Sequence, residues 1–331
     1  MLLQIFKRTT PGVLLLMFVT LIVLWISAFL CPPLNNAAHG EIDPMPLYGL
    51  LKLVFGNNHF LGVLFSFSVV TLMSFLLVRF NTNIFFLRER SYLPAVIYIF
   101  ISGLFPQQQL LNPVLPASVF LMLAIIRIMD GYRKPGTAFS FFDAGILIGI
   151  GSLIYANLIW FGMLIIIGII LLRTRNMSEI AISFIGLIIP FLLTFGLYYV
   201  LGKEMESFLL LVKNNLFFKS AGYFFPRLTI VALIFIGTVI LISMVYLFML
   251  MNTKKIKSRK TFLLMIWVFL ISLGVYFVIP STSVEIVWLA GIPISYLLAH
   301  YFVLVKKKLI PEIFFLVFIV LILLIQIWYL K

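Results

Sequence analysis

The chain is 331 residues long, 63% hydrophobic, 16% aromatic and only 10% charged, with a mean hydropathy of +1.21. No soluble fold hides that much apolar surface, so a soluble catalytic domain is excluded. A formal charge of +14 would point to nucleic acid in a soluble protein, but here the placement of the charges decides, and the single cysteine, Cys31, excludes an internal disulfide framework and a multi-cysteine zinc site.

Apolar runs of about 20 residues bounded by charge, Pro or Gly predict membrane-crossing helices. They fall near residues 12–31, 60–79, 92–105, 114–130, 142–157, 158–172, 180–201, 228–251, 261–279, 285–304 and 310–330. The expected fold class is all-α, a polytopic bundle of about eleven spans. The first run follows Lys7 and Arg8 and reads as a retained helix. It is longer than a signal core, and Ser27-Ala28-Phe29-Leu30-Cys31 lacks the small residue that lipoprotein processing needs just before its cysteine. Within 142–172 the one strong break is Asn157, and a hairpin is expected there because a single helix of about 31 residues exceeds a bilayer core.

Alternation of these spans leaves only Lys52, Lys203, Lys213, Lys219, Arg227 and Lys331, of the 24 Lys and Arg, on the side opposite the N-terminus. The positive-inside rule then places the N-terminus inside, the C-terminus outside, and the chain in a bacterial cytoplasmic membrane. The basic excess is membrane topology, and no nucleic-acid partner is expected. Two connections long enough to carry chemistry fall outside. They divide the chain into a seven-helix module, 1–201, with an acidic first outer loop at 32–59; an amphipathic, aromatic outer loop, 202–227; and a four-helix module, 228–331. No internal repeat is visible, which makes an inverted-repeat transporter a poor fit.

In the first outer loop Glu41 and Asp43 stand two residues apart, just before a segment with Leu47, Leu50, Leu51, Val54 and Phe55 at helical spacing. Pro46 suits the first position of an interfacial helix, and the helix dipole would hold Asp43 charged and available as a base. The plainer reading of the pair is a solvated turn with a helix cap. The second outer loop gathers Lys203, Lys213, Lys219 and Arg227 among Phe208, Phe217, Phe218, Tyr223, Phe224 and Phe225. Cations among aromatics suit a lipid phosphate above apolar tails, or else an aromatic belt with snorkelling lysines. The phosphate reading predicts a cavity roofed by residues 46–57 and flanked by 202–227.

Charged residues within the spans all lie near their ends, which argues against a buried carboxylate relay. Asp143 is expected to pair with Arg127, Arg133 or Lys134, Glu179 sits beside Arg173 and Arg175, and Glu285 is expected to cap a helix at the outer face. His300 reads as a hydrogen-bonded core residue, and Gly145, Gly149 and Gly151 as a face for close helix packing. The chain has no P-loop, HExxH motif or nucleophile elbow.

In order and topology the chain resembles the membrane-embedded type-C (GT-C) glycosyltransferases, which use polyprenyl-phosphate-linked sugar donors. The likeness lies in Glu41-Ile42-Asp43 followed by an interfacial segment, in the stretch from Gly145 to Arg173-Thr174-Arg175-Asn176, and in an outer loop after the seventh span. It implies a glycosyltransferase at the outer face, with Asp43 and Glu41 as catalytic carboxylates and Lys203, Lys213, Lys219 and Arg227 on the lipid phosphate. The chain departs from that pattern in Gln107-Gln108-Gln109-Leu110-Leu111-Asn112, which has no second acid, and in lacking room for a soluble outer domain. With two carboxylates at most, no resident metal is expected and divalent dependence would be weak. The chain is also similar to an uncharacterised family of bacterial polytopic inner-membrane proteins, through Leu93-Pro94-Ala95, Ser102-Gly103-Leu104-Phe105-Pro106 and the Gly145 region. The expected partner is a lipid-linked sugar or another anionic lipid. The alternative function is a non-catalytic lipid-binding or scaffold subunit with a membrane-protein partner.

Overall fold

Apolar runs this dense favour helix, because a helix satisfies its own backbone where water is absent. The computed structural model describes residues 2–7, 10–30, 43–84, 91–132, 138–172, 177–219, 225–305 and 309–330. Among them no strand occurs, and the helices in chain order are α1 Leu2–Lys7, α2 Pro11–Leu30, α3 Pro46–Phe55, α4 His59–Ile84, α5 Leu93–Ser102, α6 Val114–Asp130, α7 Ala138–Ser152, α8 Met163–Leu172, α9 Met177–Val200, α10 Met205–Phe217, α11 Arg227–Leu250, α12 Ile256–Val278, α13 Val287–Leu304 and α14 Leu309–Leu330. Short 3₁₀ segments at Pro106–Gln109, Ala156–Gly162, Met251–Thr253 and Val284–Ile286 join or extend them.

All eleven apolar runs are helical. Seven helices, α2, α4, α9, α11, α12, α13 and α14, are long and apolar enough to cross a membrane, which makes this a multi-pass membrane protein. The other four runs form shorter helices. Ten residues at 1.5 Å rise give α5 a length of only about 15 Å, and all ten are buried. In the expected hairpin the break falls at 153–155, and Asn157 lies inside the 3₁₀ segment that leads into α8.

The bundle is built around α13, in which every residue from Trp288 to Phe302 is buried, whereas the peripheral α9 buries only Glu179, Ser183, Gly186, Leu187 and Pro190. Tyr98 of α5 donates to the Trp288 carbonyl at 3.3 Å, and Tyr296 of α13 donates to the Leu77 carbonyl of α4 at 2.7 Å. Glycines set the closest approach, between α7 and α9. A Cβ at Gly149 would lie 2.6 Å from the Leu187 carbonyl oxygen, and one at Gly186 2.5 Å from that of Phe142. The Gly145 face is therefore a packing surface, as its spacing implies.

The interruption between α5 and α6 exposes backbone that must find partners inside the bundle. Side-chain amides supply them. Gln109 donates to the carbonyls of Leu24 at 3.0 Å and Ser102 at 3.1 Å, and Gln326 of α14 donates to that of Gly103 at 2.7 Å. Asn112 donates to the Gln108 and Leu110 carbonyls and accepts from the Leu115 amide. The stretch that lacks an acid is thus a buried polar belt that completes a broken helix. Ser27 of α2 hydrogen-bonds the Gln326 amide oxygen, and Trp25 donates to Ser102 at 3.1 Å, which ties α2 into the same belt.

At the opposite end of the bundle basic side chains gather. Arg127 pairs with Asp143 at 3.7 Å, as expected, while Arg133, Lys134, Arg173 and Arg175 lie outside the described residues. Lys254 stands over Phe262 and Lys260 over Tyr132, at 5.1 and 5.6 Å. His300 departs from expectation. It is fully buried, but neither ring nitrogen is hydrogen-bonded, because its neighbours are the rings of Phe262 and Tyr246.

Candidate functional site

The two connections read as outer loops meet. Asn215 of α10 donates at 2.9 Å to the backbone carbonyl of Asp43, and the Leu47 amide at the start of α3 donates at 3.1 Å to the Leu153 carbonyl at the end of α7. A small apolar cluster of Met45, Leu153, Ala156 and Phe208, flanked by Phe195 and Tyr198 of α9 and Leu211 of α10, seals the junction. A three-member relay holds α10 from beneath. Asn157 donates to Ser281 at 2.8 Å, and Ser281 donates to the Leu216 carbonyl at 2.7 Å.

Helix α3 begins at Pro46, as expected, but its N-cap is Met45, with no side-chain cap. Asp43 lies two residues further out and is exposed, so neither a cap nor the first-turn amides fix its carboxylate. Glu41 lies outside the described residues. The inward face of α3 also differs from the spacing. Tyr48 is its buried residue, whereas Leu50, Leu53 and Val54 are exposed. Tyr48 donates to the Leu111 carbonyl at 3.1 Å, and burial, with Glu285 nearby, raises its hydroxyl well above the ordinary value. Glu285 is a correction as well. The N-cap of its 3₁₀ turn is Ser283, and Glu285 itself is buried.

The four expected cations are all exposed. Gly202, at φ +68°, ends α9 in a Schellman turn, with the Lys203 amide donating to the Tyr198 carbonyl and the Gly202 amide to that of Tyr199. That turn sets the Lys203 ammonium 5.2 Å over the Tyr198 ring. Helix α10 has 13 residues, which at 1.5 Å per residue is about 20 Å. Lys203 therefore stands at one end of α10 and Lys219 beyond the other. Lys213 lies on the half nearer Lys219, and Arg227 opens α11. Tyr223 and Phe224 lie outside the described residues.

The groove that the described residues form is not the cavity expected under residues 46–57. A groove of about 330 Å³ runs between the Ala156–Leu172 segment and α9 and ends under α10, with Trp160, Met163, Phe184, Leu187, Leu216 and Phe217 among its walls. No residue of α3 lines it. Its rim residues Met163, Phe184 and Phe217 are exposed, so the groove opens sideways. Its lining is apolar apart from Ser183 and the indole of Trp160. The Trp160 indole N–H is itself buried and has no hydrogen-bond partner. In a 3₁₀ helix positions i and i+3 eclipse, so Asn157 and Trp160 share a face. Sequence reasoning missed Asn215, Trp160 and Gly162. Gly162 interrupts an apolar run and Asn215 ends the polar step Lys213-Asn214-Asn215, and those were the only signals available.

Among the described residues no three His, Cys, Asp or Glu side chains converge to hold a metal ion. Residues 46–330 match a family of unknown function, DUF6427. The chain belongs to that family. No curated protein and no solved structure matches it. The stretch matched by DUF6427 contains α3, α10 and the groove, and it begins after Glu41 and Asp43.

Proposed function

We propose that this chain holds a lipid-linked phosphate at the end of the bundle where α3 and α10 meet, at the outer face of a bacterial cytoplasmic membrane. Lys213 and Lys219 meet the phosphate, with Lys203 and Arg227 as further cations along the rim, and the hydrocarbon stays among apolar helices. The observation that carries this reading is the bond from Asn215 to Asp43. One amide ties the acidic connection to the basic helix, so carboxylate and cations border a single surface.

The reaction that fits this surface is glycosyl transfer from a polyprenyl-phosphate-linked sugar, as in the GT-C enzymes the sequence resembles. The acceptor hydroxyl oxygen bonds to the anomeric carbon, the bond from that carbon to the phosphate oxygen breaks, and polyprenyl phosphate leaves. Asp43 takes the acceptor proton, with Glu41 in support. Asp43→Asn keeps size and polarity and removes the base, so transfer should fall by roughly 10²- to 10⁴-fold at unchanged membrane abundance. Full complementation of a deletion by Asp43→Asn would overturn the catalytic role.

A second reading is a non-catalytic lipid-binding or scaffold subunit. It is favoured by the span of the family match, which includes Lys213 and the groove but neither carboxylate. Its mark is a stoichiometric membrane-protein partner that survives mild detergent, where the enzyme reading expects the chain alone.

We further propose eleven crossings with the N-terminus inside. The four short segments α5, α6, α7 and the Ala156–Leu172 helix cross as a buried core, where broken helices are tolerated because protein and not lipid surrounds them. The gathering of Arg127, Lys254 and Lys260 at the end away from α3 and α10 supports that orientation.

A further inference from the structure

We infer that the cavity between α1 and the start of α14 binds the head group of a zwitterionic phospholipid with a primary ammonium, phosphatidylethanolamine, with Lys7 on its phosphate and Glu312 on its ammonium. The site goes beyond the lipid-phosphate reading and stands at the other end of the bundle. Helix α13 separates the two. It begins beside Glu285, whose charge reaches Tyr48, and its 18 residues carry the chain about 27 Å to Phe302 and Val305 at the cavity wall. Helix α1 is anchored by its apolar side. Leu3 and Phe6 are buried, and the Phe6 ring meets those of Phe100 in α5 and Phe315 in α14 edge-on, at centroid distances of 6.4 and 5.7 Å. Gln4 and Lys7, three residues apart, share a neighbouring face and line the cavity together with Pro311 and Glu312 of α14.

A cavity of about 360 Å³ lies within the range of small-ligand sites, roughly 300 to 1,000 Å³. Its walls are polar as well as apolar, and Lys7 and Glu312 put one charge of each sign on them. A simple anion would meet the carboxylate as well as the ammonium, and a simple cation the reverse, so the ligand that balances both carries a phosphate and an ammonium. Both side chains already interact within the protein, which holds them at the wall before a ligand arrives. A quaternary ammonium has no N–H to give Glu312 and is recognised through a cage of aromatic rings. Among the described lining residues Phe302 is the one aromatic, so the ammonium that fits is primary. What flanks the cavity makes the ligand a lipid. Ile5, Leu309, Ile310 and Ile313, within two residues of Gln4, Pro311 or Glu312 in the chain, are exposed, so the acyl chains of a bound head group have an apolar surface to lie on.

The test uses the full chain in mild detergent with dioleoyl phosphatidylethanolamine, phosphatidylcholine and phosphatidylglycerol at equal concentrations. Native mass spectrometry reads which lipid the protein retains as its first equivalent. Phosphatidylethanolamine should exceed phosphatidylcholine by about tenfold, the difference expected for one charge-assisted contact. Glu312→Gln should remove most of that preference and raise phosphatidylglycerol, whose anionic head no longer faces a carboxylate. Lys7→Gln should shift the ratio the other way, against phosphatidylglycerol. Val305→Trp, which fills the cavity and leaves both charges, should bring phosphatidylethanolamine and phosphatidylcholine to equality. Each variant is read as a ratio of lipids on the same folded protein, so a general loss of stability does not imitate these results. Equal retention of phosphatidylethanolamine and phosphatidylcholine by the unaltered chain, or a ratio that Glu312→Gln leaves unchanged, would overturn the inference. Glycerophosphoethanolamine, the same head group without acyl chains, should fail to displace the lipid at equal concentration. Displacement would make the occupant a soluble zwitterion and overturn the lipid assignment.

Discussion

Gln109 shows what a single side chain does in a bundle with no water to spare. Its amide meets the Ser102 carbonyl at the end of α5 and the Leu24 carbonyl of α2. Gln109→Leu would remove both bonds and strand the Ser102 carbonyl at the end of α5, at a cost of about 1 to 3 kcal/mol for a buried unmet group. A lower unfolding midpoint in detergent checks this, and Gln107→Leu, at an exposed position, should leave the midpoint unchanged. Lys254 sits partly buried over Phe262, and burial lowers its amine from 10.5 to about 8. Between those two values the folded chain binds fewer protons than the unfolded one, so stability rises with pH through that window and is lost as pH falls through 8. The unfolding midpoint should therefore climb from pH 7.5 towards 10 relative to Lys254→Gln, and equal slopes in the two proteins would refute it.

Among the elements, the α7–α9 pair has the least tolerance. At Gly186 the nearest atom to an added Cβ is backbone, the Phe142 carbonyl oxygen, which cannot rotate away as a side chain would. Gly186→Val should cost about 1 to 3 kcal/mol by overpacking. On the same helix an added Cβ at Gly196 meets nothing within 4 Å, so Gly196→Val should change the midpoint far less. Helix α3 is apolar on two sides, with Tyr48 inward and Leu50, Leu53 and Val54 outward, the arrangement of a helix lying between a protein and an apolar medium.

For the whole molecule the testable quantity is the number of crossings. Seven helices meet the length and composition of a span, and the proposal adds four short buried ones. Eleven crossings put Lys257 and Lys331 on opposite sides. A periplasm-active reporter fused after Lys331 should be active, and a cytoplasm-active one inserted at Lys257 should be active as well. If only the seven long helices cross, Lys257, Lys331 and Lys203 all keep the same sides. A reporter at Gln107 is therefore decisive, since that position is outside only if α5 crosses. Silence of a periplasmic reporter at Gln107 would exclude the eleven-span reading.

Helix content and the eleven apolar runs were legible in the sequence because both depend on local composition and period, and lipid removes most alternatives to helix. The Gly149 face and the Arg127–Asp143 pair were legible for the same reason, since each follows from spacing along one or two adjacent helices. Tertiary structure alone decided the rest. Which face of α3 turns inward depends on the Leu111 carbonyl that receives Tyr48, 63 residues away in the chain. The role of Gln109 depends on where α5 stops and on a carbonyl of α2. The meeting of Asp43 with Asn215, 172 residues apart, and the groove under α10 arise where α7, α8, α9 and α10 converge. In an apolar chain, lipid-facing, partner-facing and groove-lining residues are written with the same letters, so only the packing of distant helices against one another can tell them apart.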